Sequence, residues 1–124
     1  MLRNAQVVFQ DLQLIGIDDA DARNQVARHL PTLPALQDKY RILLYHRPDG
    51  AEAAAAWGAH MMLCGHTHNG QILPFNLLVR RIFPRLLGRY QIGQLTLYVS
   101  PGTGTWGPVL RLGSRCEISM ICLV

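Results

Sequence analysis

Three histidines stand where metal ligands or acid–base groups would: His46, His66 and His68. The last two are separated by one residue, inside Gly65-His66-Thr67-His68. On an extended backbone, residues i and i+2 project to the same side, about 6.5 Å apart. That span suits a pair of metal ions about 3.5–4 Å apart, each taking one imidazole. Gly65 lets the backbone turn as it leaves a strand, and the Thr67 hydroxyl can fix the loop by local hydrogen bonding. Taken alone, His46 reads as a hydrogen-bonding loop residue. His29 and His60 read as surface or helix-end residues.

The elements that must position these rings are legible. Residues 41–45 (RILLY) are a short, nearly continuous apolar run, the pattern of a buried strand. His46-Arg47-Pro48 breaks it. Asp49, with Glu52 three residues on, reads as a capping box for a helix built on Ala51 and the alanines at 53–56. Gly58 stops that helix, and Met61–Cys64 (MMLC) is a second buried strand ended by Gly65. Strand, helix and strand over residues 41–64 predict a βαβ unit with parallel strands and a right-handed crossover. Ligand sites of open α/β sheets lie outside the carboxyl ends of parallel strands. The crossover should therefore bring His46 and residues 65–68 to one edge of the sheet.

Elsewhere, β-type runs fall at Ala5–Phe9 and residues 12–17, and Asp18, Asp19 and Asp21 turn the chain into a helix at 22–30. Pro31 and Pro34 end it. Residues 75–83 (FNLLVRRIF) predict a packed amphipathic helix with solvated arginines, cut by Pro84. A hairpin at 90–92 and 95–100 turns at Gly93-Gln94, a glycine-rich loop covers 101–108, and a last strand is expected at 116–123. Cys64, Cys116 and Cys122 read as small apolar residues inside strands. Their odd number and the lack of a C-x-x-C pair argue against a disulfide framework or a cysteine zinc site.

The ordered series of motifs resembles one family. Gly65-His66-Thr67-His68-Asn69-Gly70-Gln71-Ile72-Leu73-Pro74-Phe75 resembles the closing motif of bacterial calcineurin-like metallophosphoesterases, usually GHTHGGQ followed by Pro-Phe. Leu43-Leu44-Tyr45-His46-Arg47-Pro48 resembles the motif before it, and Leu14-Ile15-Gly16-Ile17-Asp18-Asp19 a strand earlier still. Residues 97–108, followed by Arg111-Leu112-Gly113, resemble the family's C-terminal loop. The likeness extends over nearly the whole chain and is strongest to a branch tethered by membrane-spanning helices.

The resemblance implies an α/β fold: part of a metallophosphoesterase-type β-sandwich flanked by helices, with one parallel βαβ unit and a C-terminal β-hairpin region. Residues 1–124 would be a single domain, the C-terminal part of the catalytic domain. It further implies a divalent metal pair (Mn, Fe or Zn), with His46 and His66 on the second metal and His68 on the first. Gly65, Thr67 and Asn69 would support the loop. The reaction implied is two-metal hydrolysis of phosphomonoesters or phosphodiesters. The family's D-x-H, G-D-x-x-D and G-N-H-D/E motifs supply the other ligands, and none occurs in these 124 residues. The chain alone is accordingly expected to be inactive, and its missing N-terminal half becomes an expected partner. Two departures stand within the matched part. Asn69 replaces a common glycine, and Pro101 stands where an arginine is common.

Composition fits this reading. Apolar residues make up 49% and charged residues 16%, a globular balance, and the formal charge is +4. No apolar run reaches the ~18 residues of a membrane span, and the first residues lack the layout of a signal peptide. Membrane association is thus implied for the intact protein by resemblance alone. The alternative is a non-catalytic domain that binds anions or a membrane surface: Leu77, Leu78, Val79, Ile82 and Phe83 with Arg80 and Arg81 could lie on acidic lipid. Nucleic acid is disfavoured, because only Phe83 and Tyr90 interleave the basic stretch Arg80–Arg81–Arg85–Arg89. A sheet lacking its facing layer would self-associate, so a homo-oligomer is expected.

Overall fold

The alternation of short apolar runs with helix formers becomes one mixed sheet. A computed structural model describes residues 1–123. Six strands form in chain order: β1 (Ala5–Phe9), β2 (Leu12–Gly16), β3 (Tyr40–Leu44), β4 (Met61–Cys64), β5 (Gly88–Ile92) and β6 (Leu95–Val99). Across the sheet they run β1-β2-β3-β4-β6-β5. The inner four, β2, β3, β4 and β6, are parallel, and an antiparallel hairpin closes each edge. The fold is α/β, with the expected βαβ unit formed by β3, β4 and the helix α2 (Ala51–Trp57).

The core lies on the helical face. Ile15, Leu43, Met62 and Leu97, one from each parallel strand, are fully buried there against Val26, Leu30, Ala51 and Ala54. The small alanine side chains let α2 lie close to the sheet. Gly58 ends α2 at φ 100°, a left-handed position suited to glycine. Two polar residues on this face are fully partnered. Gln13 is held by Gln6, Pro34 and Leu36, and Arg41 donates to the carbonyls of Gly58 and Leu36, both at 2.6 Å.

The opposite face is apolar and largely open. In register along it stand Phe9 and Leu12, Val7 and Leu14, then Ile42 with Met61 and Leu44 with Leu63. Phe9 is 61% exposed. The end of the described chain lies against this face: Met120, Ile121, Cys122 and Leu123 border a shallow depression with Leu12, Tyr40, Met61 and Tyr98, and with the charged Asp11 and Arg89.

Several local expectations fail, each for a physical reason. Residues 116–123 form no strand. A strand needs ladder bonds, and the main-chain tie from this segment is Glu117 N–H to Gly102 O. Ile118 and Met120 are consequently 89% exposed, and Cys116 and Cys122 lie outside strands and are exposed; only Cys64 is buried. The first helix shortens to α1 (Gln25–His29), followed by a 3-10 turn at Leu30–Thr32, and no side chain caps it. Asp49 caps nothing: α2 starts at Gly50 without a side-chain cap, and Glu52 instead pairs with Arg85. His60 is no free surface residue, since its Nδ1 accepts from the Arg41 main-chain N–H at 3.0 Å and its ring stacks on Tyr40. The helix α3 (Asn76–Ile82) forms but buries no residue.

Candidate metal centre

Both histidine loops leave the sheet at the carboxyl ends of adjacent parallel strands, β3 and β4. Two main-chain bonds align those exits: Tyr45 N–H to Leu63 O at 3.2 Å, and Gly65 N–H to His46 O at 3.0 Å. A third, Ser100 N–H to Cys64 O at 2.9 Å, fixes the exit of β6 beside them. The result is direct contact between two rings. His46 Nε2 lies 2.9 Å from His66 Nδ1, with the rings edge to face and their centroids 4.7 Å apart. Phe83 packs edge-on against the far side of His66, at 5.3 Å.

The loop achieves this through left-handed backbone at side-chain-bearing residues. His66 (φ 70°), His68 (φ 48°), Asn69 (φ 53°) and Gln71 (φ 48°) all sit there, with Gly70. Gly65 has no positive φ, so the turn expected of it is made by the histidines themselves. Such conformations cost roughly 1–3 kcal/mol each and cluster at functional sites. Side chains hold the loop in place. Buried Thr67 donates to Leu86 O at 2.7 Å and accepts from Asn69 N–H. Buried Gln71 donates to the carbonyls of Trp106 and Pro108, and its oxygen takes the Trp106 N–H at 2.6 Å.

His68 contacts Arg111, whose Nη2 lies 3.1 Å from His68 Nδ1. The same guanidinium donates to the carbonyls of Pro101 (2.8 Å), Gly102 and Gly104 and to the Ser114 hydroxyl, and Ser114 donates to His68 O at 2.7 Å. Arg111, Ser114 and Gln71 therefore bind the C-terminal loop onto the histidine loop. Sequence reasoning assigned them no role. The available signal was Arg111, the first cation after a glycine-rich loop.

Electrostatics favour neutral rings. Burial first, then the neighbouring His46 and Arg47, lower the His66 pKa below its ordinary value. Burial and then Arg111 lower that of His68. Neutral imidazole is the form that binds metal. Nearby, burial and then Asp49 push both the Tyr45 hydroxyl and the Cys64 thiol up to about 12, so neither ionises near neutrality. Arg47 lies 2.9 Å from Asp19 as an ion pair, and both oxygens of Asp49 are out of solvent without a hydrogen-bond partner.

The residues fit part of a metal site. Two imidazole nitrogens on one tetrahedral zinc, at about 2.05 Å each, stand about 3.3 Å apart, so the 2.9 Å hydrogen-bond contact between His46 and His66 would open by about 0.4 Å to admit an ion. Among the described residues, no three His, Cys, Asp or Glu side chains come close enough to hold an ion together. His46 and His66 thus meet as a pair, and His68 is bonded to Arg111.

The fold and site define an α/β domain with two imidazoles in contact at the carboxyl edge of its parallel strands. The chain is 39% identical over 119 residues to a "Transmembrane protein with metallophosphoesterase domain" of Bos taurus, matching 89% of this chain and 27% of that protein. It is 39% identical over 130 residues to an "Uncharacterized metallophosphoesterase" of Helicobacter pylori, covering 100% of this chain and 35% of the relative. It is 34% identical over 91 residues to the "Phosphodiesterase YaeI" of Escherichia coli, covering 68% and 32%. The chain therefore has homologues in the metallophosphoesterase family and spans about a quarter to a third of their length. No protein-family model matches the chain. No solved structure matches it either. Among the described residues, no helix is long and apolar enough to cross a membrane.

Proposed function

We propose that the chain is the C-terminal part of a metallophosphoesterase catalytic domain, contributing His46, His66 and His68 to a divalent-metal pair that hydrolyses phosphate esters. The observation that carries this is the 2.9 Å approach of His46 Nε2 and His66 Nδ1 at the carboxyl edge of parallel strands. His46 and His66 would hold one ion, His68 the other, and the remaining ligands come from sequence beyond these 124 residues. When bound, the ions supply a deprotonated water and charge stabilisation for the displacement. The chain's own residues favour the neutral forms of His66 and His68 by burial, hold the loop through Thr67, Gln71 and Arg111, and pack Phe83 on His66. Alone, these 124 residues are inactive.

Two assays test the reading. Cobalt(II) titration followed by visible absorption should show weak binding that disappears in His46→Ala and in His66→Ala. Hydrolysis of a nitrophenyl phosphodiester with manganese should stay at background. Turnover that tracks the purified chain and vanishes in His66→Ala would show that these residues suffice, and cobalt binding untouched by both substitutions would remove the pair as ligands.

A further inference from the structure

An amphipathic helix in a globular domain normally buries its apolar side, and α3 does not. Leu77 and Leu78 are 62% and 52% exposed, and Phe75, Ile82 and the preceding Leu73 are also exposed. The helix packs on the turn at His68–Gly70 beyond the sheet edge, so it belongs to neither face of the sheet. Arg80 and Arg81 lie within it, exposed, and among the described residues no carboxylate pairs with either. A second apolar group stands alongside. Leu73 N–H bonds Leu112 O, and Gln71 holds the main chain at Trp106, which places exposed Leu112 and Trp106 in the same neighbourhood.

We propose that α3, with Leu73 and Phe75, is a seat for an anionic phospholipid surface. The apolar side chains enter the acyl boundary, and Arg80 and Arg81 meet the headgroup phosphates. Charge complementarity selects this occupant: a protein layer completing the domain would need carboxylates or desolvation to accommodate two unpaired arginines, whereas an anionic bilayer presents phosphates at the depth where arginine side chains reach. The open sheet face lies elsewhere: apolar Val7, Phe9, Leu12 and Leu14 stand on its β1–β2 side, and Arg89 borders the depression on its other side. The inference stands independently of the phosphoesterase reading. Its consequence, if both hold, is that the histidine loop faces the headgroup layer, because α3 is packed on that loop.

The test is flotation of the full chain with vesicles of phosphatidylglycerol and phosphatidylcholine, against vesicles of phosphatidylcholine alone. Binding to the anionic vesicles is expected, weakening with salt. Near an anionic surface each arginine is worth about fivefold in affinity, so Arg80→Gln with Arg81→Gln should weaken binding about thirtyfold. Leu77→Ser with Leu78→Ser should abolish it. Both pairs are exposed, and circular dichroism should show the fold retained. Val7→Ser with Phe9→Ser on the open face should leave binding unchanged. Equal binding to both vesicle types, binding to neither, or loss of binding in the open-face variant but not in the α3 variants would each overturn the proposal.

Discussion

Replacing Arg111 by alanine isolates the device that ties the C-terminal loop to His68. Its guanidinium donates to Pro101 O at 2.8 Å, to Ser114 Oγ at 3.0 Å and, through Nε, to Gly104 O at 3.1 Å. A hydrogen bond from a charged donor contributes about 1.5–3 kcal/mol net, less where solvent can replace it. The guanidinium is half-buried and the carbonyls lie near the surface, so a total of about 2–3 kcal/mol is expected. That loss should be local, because the sheet core owes nothing to Arg111. The amides to watch are Trp106, bonded to Gln71 Oε1, and Leu112, bonded to Gln71 O at 2.9 Å. By amide hydrogen exchange both should exchange on the order of 30–160 times faster in Arg111→Ala, with the Leu97 amide in the core unchanged. Arg111→Lys keeps the charge without the planar fork and should recover only part of the protection. Unchanged protection at Trp106 and Leu112 would refute the reasoning and place the loop's stability in Gln71 alone.

Other outcomes follow from the same geometry. Thr67→Val keeps shape but removes the buried donor to Leu86 O, and should cost about 1–3 kcal/mol in urea unfolding; a loss under about 0.5 kcal/mol would mean water takes its place. His60, His66 and His68 have folded pKa values below the ordinary 6.5, so the unfolded chain binds protons that the folded chain does not. Stability should therefore be full above about pH 6.5 and fall as pH drops below it, and a urea midpoint at pH 5.5 equal to that at pH 7.5 would contradict this. The open apolar face should drive association: light scattering over a dilution series should show dimers or larger species, reduced in Val7→Ser with Phe9→Ser. A persistent monomer in the parent chain would mean that the face is closed by the chain's own end.

What the sequence revealed and what it hid divide along physical lines. The strands β3 and β4 and the helix between them were legible to within a residue, because two unbroken apolar runs flank a run of alanines closed by Gly58. The convergence of His46 with His66 followed from the handedness of that crossover. Local polar pairings were less legible. Asp49 and Glu52 have capping-box spacing, yet Arg85, 33 residues away, takes Glu52. The last segment alternates well enough to be a strand, but strand formation needs a neighbour's free edge, and here it lies across a sheet face. The positive φ values of His66 and His68 were not read from the sequence: histidine adopts positive φ more often than most residues, but only in a small minority of cases, so residue type alone does not announce it.

The histidine pair and the open face have one explanation on the proposed reading. A strand with one wet side alternates polar and apolar residues, while RILLY and MMLC are apolar on both sides. Leu44, Met61 and Leu63 therefore encode a cover that the described residues supply in part, Ile42 being already buried and Met61 lining the depression bordered by residues 120–123. A layer placed on that face would end at the same carboxyl edge where His46 and His66 face each other with too few neighbours to hold an ion. Ligands carried on its loops would approach the imidazoles from the open side. Burial of the sheet and completion of the metal site would then be a single event. On that reading the apolar register across β1 to β4 would also determine where the remaining ligands dock.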